Sequence, residues 1–170
     1  MDFEKYIRDV PDFPKPGILF KDITPLLKDG PVFSVAIQTL ASKFENFPID
    51  LVVGIEARGY LIGAPLAFLL EKGFIPIRKK GKLPWETINT EYDLEYGTSS
   101  IEMHRDGISP GDNVLLVDDV LATGGTLVAS VRLIEQAGAK VVGIGLLLEL
   151  SGLNGRGKLE AYHLESLIIV

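Results

Sequence analysis

A chain of 170 residues, 46% of them hydrophobic, is long enough for one domain with a substantial core and offers no tract polar enough to stay disordered. A net charge of −6 argues against a nucleic-acid-binding face, which needs a basic stripe, whereas a small phosphorylated ligand needs only a few local cations. There is no cysteine, so disulfides and thiolate metal sites are excluded. No apolar run is long enough to span a bilayer, and Met1 to Tyr6 lacks the core of a signal peptide. A cytoplasmic protein with no membrane partner is expected.

Residues 2–9 read as a short amphipathic helix carrying Phe3, Tyr6 and Ile7 on one side and ending before Pro11. From Asp12 to Leu27, three prolines and a glycine forbid a helix while apolar residues persist, which predicts a rigid extended strap over a core edge. Residues 31–47 have helical spacing in Phe33, Ala36, Ile37, Leu40, Ala41 and Phe44, with Pro31 in the first turn. Leu51 to Ile55 is a buried strand, a helix follows from about Leu61 to Glu71, and Ile75 to Arg78 is a further strand. Apolar strands alternating with helices predict parallel β-α-β units, whose ligand sites lie at the strand carboxyl ends. Arg58 falls at such an end, where its guanidinium suits either a rim ion pair or a phosphate oxygen.

Arg78 to Lys82 is a basic cluster in an acidic chain, of the kind that is usually solvated. After Pro84 and Trp85, residues 87–94 and 98–104 alternate as two strands around Glu95-Tyr96-Gly97, which predicts a hairpin outside the parallel sheet. An excursion of this length in a compact domain is commonly a lid or binding loop. His104 reads as a surface residue, and neither it nor His163 is assigned a role. Beyond a turn-rich link at 105–112 come the strand and helix that frame the most informative stretch. The chain then closes with a buried strand at 141–148, a loop at 149–157 and a last strand at 163–170.

That stretch is Val114 to Thr126. Val114 to Val117 form a continuous apolar run, as expected of a strand covered on both faces. Asp118 and Asp119 follow where such a strand would leave the core, then Ala122-Thr123-Gly124-Gly125-Thr126, then helical spacing in Leu127, Val131, Ile134 and Ala137. Two adjacent glycines let backbone approach a ligand, and the free N–H groups of the next helix point at it with the positive end of the dipole behind them. Thr123 and Thr126 add hydroxyl donors. No Gly-Lys-Ser/Thr of the triphosphate-binding loop is present, so the anion is expected to be a phosphomonoester. Adjacent carboxylates repel unless donors or a cation are near; a sugar diol supplies the first and a divalent metal the second. Ribose 5-phosphate satisfies both halves of the string. The plain alternative is a strand end and an ordinary glycine turn with both aspartates solvated.

The string resembles the phosphoribosyl pyrophosphate signature of the type I phosphoribosyltransferases. Further blocks, in the same order along nearly the whole chain, resemble the branch of that family acting on adenine: Phe13 to Pro25, Gly54 to Tyr60, Arg78 to Pro84 and Leu94 to Gly97. The resemblance implies an α/β fold, a mostly parallel twisted sheet flanked by helices with an N-terminal hood at about 12–27 and a flexible hairpin loop at about 79–104, in a single domain over 1–170. It implies transfer of phosphoribosyl from phosphoribosyl pyrophosphate to adenine, yielding AMP and pyrophosphate, with Mg²⁺ bound mainly through substrate and no certain protein ligand.

In that reading Asp118, Asp119, Ala122, Thr123, Gly124, Gly125 and Thr126 hold the phosphoribosyl group. Arg58, with Lys79 and Lys82, holds pyrophosphate. Leu19 and Lys21 offer backbone to the base, Phe20 stacks on it and Leu150 lines its other side. Glu95 exchanges a proton with the base and, with Arg58, is catalytic; Tyr96 helps to close the loop. A homodimer is implied as well. Two rivals are a transferase for a 6-oxopurine and a regulatory sensor of phosphoribosyl pyrophosphate. The first should add a side-chain partner for the oxo group, and the second a nucleic-acid-binding module or basic face that this acidic chain does not show.

Overall fold

A computed structural model describes residues 1–93 and 98–170. Among the described residues seven strands form one sheet in the order β5-β6-β4-β3-β7-β8-β9. Its centre is parallel: β3 (Leu51–Ile55) lies between β4 (Gly73–Lys79) and β7 (Asn113–Leu121), and β7 continues to β8 (Lys140–Glu149) and β9 (Leu164–Ile169). The central strands are apolar without alternation because both faces are covered. Val52, Leu115 and Val117 pack with α2 (Gly30–Ser42) and α3 (Arg58–Leu69), whereas Val53, Val114 and Leu116 pack with α4 (Gly125–Gln136). The period of two along each strand thus feeds two separate cores.

Several elements depart from the expectations above. Residues 2–9 are not a helix: a 3-10 turn at Glu4–Tyr6 leads into β1 (Arg8–Pro11), which pairs antiparallel with β2 (Leu19–Asp22). Long-range pairing outweighs the local pattern there, helped by the Lys21–Asp9 ion pair at 2.7 Å. The strap contains a short helix, α1 (Thr24–Lys28), because Pro25 occupies its first turn, where no N–H is required. The hairpin β5 (Thr87–Asp93) and β6 (Thr98–His104) is not outside the sheet. It extends one edge, with β6 antiparallel to β4 at Arg78 and Lys79. β7 does not end at Val117 but runs to Leu121, so Asp118 and Asp119 lie within the strand. His104 is half-buried rather than on the surface, and its Nε2 is enclosed without a hydrogen-bond partner.

This topology gathers the carboxyl ends of β3, β7 and β8 along one rim, and the β1–β2 hairpin arches over it. The α3 N-terminus approaches β7 so closely that a Cβ on Gly59 would lie 2.8 Å from Asp118 Oδ1. No helix among the described residues is long and apolar enough to cross a membrane.

Candidate active site

At the carboxyl end of β7 the chain turns through Ala122–Gly124 into α4. Gly124 takes a φ of 80°, left-handed backbone that favours glycine, and so brings the first N–H groups of α4 around a small cavity. That cavity, about 80 Å³, is lined by Asp118 and by Ala122, Thr123, Gly124, Gly125 and Thr126. Beside that carboxylate and the apolar Val120, Leu121 and Leu127, its walls include the backbone N–H groups and threonine hydroxyls of a helix N-terminus, the chemistry that receives a single phosphate. Thr126 Oγ1 also lies 3.4 Å from the Tyr92 hydroxyl, a contact that ties the hairpin to this loop.

Asp118, Ala122 and Thr126 are shared with a larger cavity of about 400 Å³. One of its sides is the hood, Ile18 to Lys21, and the opposite side is Leu150 and Leu153 beyond β8. Arg58 and both aspartates stand between. The two carboxyls are buried, Asp118 at 9% exposure and Asp119 at 5%, which rules out the solvated strand-end reading. Burial pushes Asp118 well above the usual carboxylate range, and the neighbouring Asp119 charge adds to the rise. Burial also raises Asp119, against the pull of Arg58. Asp118 Oδ1 accepts from the Asp119 N–H at 2.9 Å. Arg58 Nε lies 2.8 Å from Asp119 Oδ2, an ion pair too poorly directed to satisfy that enclosed oxygen.

Phe20 is held at the cavity wall by two contacts. Phe13 meets it edge-on at 5.1 Å between ring centroids, and the Arg58 guanidinium carbon lies 5.2 Å from its centroid. A flat heteroaromatic ring entering between Phe20 and Leu150 finds an aromatic face and an aliphatic one.

The structure therefore brings together Leu19, Phe20, Lys21, Arg58, Asp118, Asp119, Ala122, Thr126 and Leu150 in one cavity, with Thr123, Gly124 and Gly125 in the adjoining one. It does not bring Lys79 or Lys82 into either wall: Lys79 is exposed at the end of β4 and Lys82 on the loop that follows. Glu95 and Tyr96 lie outside the described residues. Sequence reasoning missed three polar devices beside the site. Glu56 accepts from Arg78 Nε at 2.8 Å, so Arg78 of the basic cluster is a structural cation. Glu102 is buried and accepts from the N–H groups of Lys82 and Leu83, both at 2.9 Å. Glu149 holds Arg156. No local pattern marks such pairs, because the partners are brought together only when the strands assemble.

The chain matches the phosphoribosyl transferase domain family over residues 26–167, and is therefore a member of that family. It is 58% identical over 168 residues, 99% of each chain, to a protein of Halothermothrix orenii named adenine phosphoribosyltransferase. Among solved structures it is similar to the adenine phosphoribosyltransferase of Thermoanaerobacter pseudethanolicus, with a TM-score of 0.97 and 52% identity covering 99% of this chain and 98% of that one. It is also similar to the Saccharomyces cerevisiae enzyme complexed with an imino-altritol bisphosphate and adenine, with a TM-score of 0.91 and 38% identity covering 98% and 96%. The chain belongs to the adenine phosphoribosyltransferase family.

Proposed function

We infer that the protein performs purine salvage, transferring the phosphoribosyl group of phosphoribosyl pyrophosphate to adenine and releasing AMP and pyrophosphate. The observation carrying this reading is the adjacency of two cavities that share Asp118, Val120, Ala122 and Thr126 as walls, a phosphate cradle on one side and the Phe20–Leu150 slot on the other. The choice of base rests on the names of the relatives, of which the yeast structure contains adenine.

In the assigned roles, the loop Ala122–Thr126 takes the 5′-phosphate and Asp118 and Asp119 take the ribose hydroxyls. Both carboxylates line the larger cavity, which supports that placement. Leu19 and Lys21 offer backbone to the adenine edge, Phe20 stacks on the ring and Leu150 covers its other face. Nitrogen N9 then attacks C1′ as the C1′–oxygen bond breaks and pyrophosphate leaves with the electron pair. Positive charge develops on the sugar, where the two aspartates lie, and negative charge on the leaving group, which Arg58 faces. Lys79 and Lys82 would reach the pyrophosphate if the loop at 79–104 closes. Glu95 accepts the N9 proton, and Tyr96 helps to exclude water, which competes for the cation.

Mg²⁺ belongs to this reading as an ion carried by substrate. It commonly keeps several waters and takes one or two carboxylates plus substrate phosphates. Among the described residues no group of three or more acidic or histidine side chains converges, whereas Asp118 and Asp119 offer the carboxylates such an ion accepts. When bound it neutralises charge developing on the pyrophosphate.

The reading also includes one domain over 1–170 with a hood at 12–27 and a closing loop at 79–104, and a homodimer in the cytoplasm, where its soluble substrates would be found. Support for the dimer comes from α3, which carries no charged side chain beyond Arg58 and leaves Leu61, Phe68 and Leu69 exposed. Incubation with Mg²⁺ and phosphoribosyl pyrophosphate, offering adenine, hypoxanthine, guanine and xanthine separately, tests the assignment. AMP alone should form; a 6-oxopurine nucleotide as the main product would overturn it.

A further inference from the structure

The loop after β8 meets the phosphate loop at a point where no side chain fits. A Cβ on Gly155 would lie 2.2 Å from the Ala122 carbonyl oxygen and 3.0 Å from the Gly124 nitrogen. Reciprocally, a Cβ on Gly124 would lie 2.9 Å from the Gly155 carbonyl oxygen. The backbone at Gly155 is thus a floor on which Ala122 and Gly124 rest, and the neighbouring residue anchors that floor. Arg156 Nε donates to Glu149 Oε1 at 2.9 Å, its Nη2 donates to Glu149 Oε2, and its Nη1 donates to the Leu164 carbonyl at 3.1 Å. Ser166 Oγ donates to Glu149 Oε2 at 2.8 Å. Glu149 is 4% exposed and ends β8, so the clamp is fastened to the sheet itself. The Arg156 bond, acting against burial, holds its carboxyl below the usual glutamate range. Only the planar guanidinium fork reaches both carboxylate oxygens and a carbonyl at once. Neither Arg156 nor Glu149 lines either cavity of the site.

We propose that Arg156, clamped to Glu149, is a positioning residue for the phosphate loop: it holds Gly155 against Ala122 and Gly124 and so sets the spacing of the N–H groups that receive the 5′-phosphate. The proposal rests on the ribose 5-phosphate reading of the site. Arg156 touches no ligand and acts through backbone. A grip on the non-reacting 5′-phosphate that is equal in the ground and transition states contributes uniform binding. Loosening the clamp therefore weakens binding without slowing turnover at saturation.

Calorimetric titration with ribose 5-phosphate, paired with steady-state kinetics, tests this on the native chain and on Arg156→Lys and Gly155→Ala. Lysine keeps a charge beside Glu149 but loses the fork. Each variant is expected to bind ribose 5-phosphate about tenfold more weakly and to raise the KM for phosphoribosyl pyrophosphate in proportion, with kcat within about twofold. Ser166→Ala, which removes only the hydroxyl steadying Glu149, gives the same trend at smaller size and serves if the other variants do not fold. Folded variants with native affinity for ribose 5-phosphate would overturn the proposal. So would a fall in kcat alone that tracks the unfolded fraction, because that marks a merely structural role. If the native chain itself fails to bind ribose 5-phosphate, the reading of the site falls first and takes this inference with it.

Discussion

Phe20 shows how one side chain serves two neighbours. Its ring is braced by Phe13 and by the Arg58 guanidinium, and it presents a face to the larger cavity. Base–aromatic stacking is worth about 1–3 kcal/mol, so Phe20→Ala should raise the KM for adenine roughly tenfold or more while kcat changes less. Initial-rate measurements at saturating phosphoribosyl pyrophosphate decide it; an unchanged KM would place the base elsewhere. Glu95 is assigned proton transfer, a role worth about 100-fold or more in rate. Glu95→Ala should therefore depress kcat by about that factor and weaken adenine binding less. Steady-state kinetics with an unaltered kcat would remove Glu95 from the mechanism. Asp118 and Asp119 stood out in the sequence as candidate ligand groups, but the depth at which they lie did not. Their depth depends on β7 continuing four residues past Val117, between β3 and β8 for its first part and beside β8 to its end.

At the scale of elements, the root of the hairpin depends on one carboxylate. Burial alone would raise Glu102, but hydrogen bonds from the N–H groups of Leu83, Gly81 and Lys82 outweigh it and hold the carboxyl below the usual glutamate value of 4.5. The unfolded chain then binds more protons than the folded one below that value. This stabilisation is complete above pH 4.5 and is lost as pH falls through the lowered native value. Glu102→Gln should cost about 1–2 kcal/mol at pH 7, and the gap from the native chain should shrink on acidification. Urea midpoints at pH 7 and about pH 3.5 compare the two; an equal gap at both would refute the charge argument. The hairpin strands were readable because Thr87 to Asp93 and Thr98 to His104 alternate. Their attachment to β4 was not readable, since it rests on only two register pairs, Arg78 with Glu102 and Lys79 with Ile101. β1 was misread for a related reason: a few apolar residues at helical spacing do not outweigh a ladder formed with Leu19–Asp22.

For the whole molecule, α3 presents the apolar surface left to solvent. Phe68 is 87% exposed near the end of a helix that carries no charged side chain beyond Arg58. Burying a side chain of that size in a partner is worth about 1.5–3 kcal/mol per copy. Phe68→Asp should therefore shift a dimer toward monomer, read as a lower sedimentation coefficient at micromolar concentration with retained secondary structure. A native chain that sediments as a monomer would refute the dimer outright. The fold class was legible at this scale because parallel strands covered on both faces must be continuously apolar, as Leu51 to Ile55 and Val114 to Val117 are.

From its residues alone the chain determined which strands are central, that a glycine loop opens a helix after an acidic pair, and that a phosphate and a diol suit that string. These are local matters: the period of apolar residues, backbone freedom at Gly124, and donors and acceptors adjacent in sequence. Only the tertiary structure decided that the aspartates are buried, that Lys79 and Lys82 stand away from the cavity, and that Glu149, Arg156 and Gly155 form a support behind the phosphate loop. Each of those depends on which distant strands become neighbours, and a linear pattern carries no such adjacency.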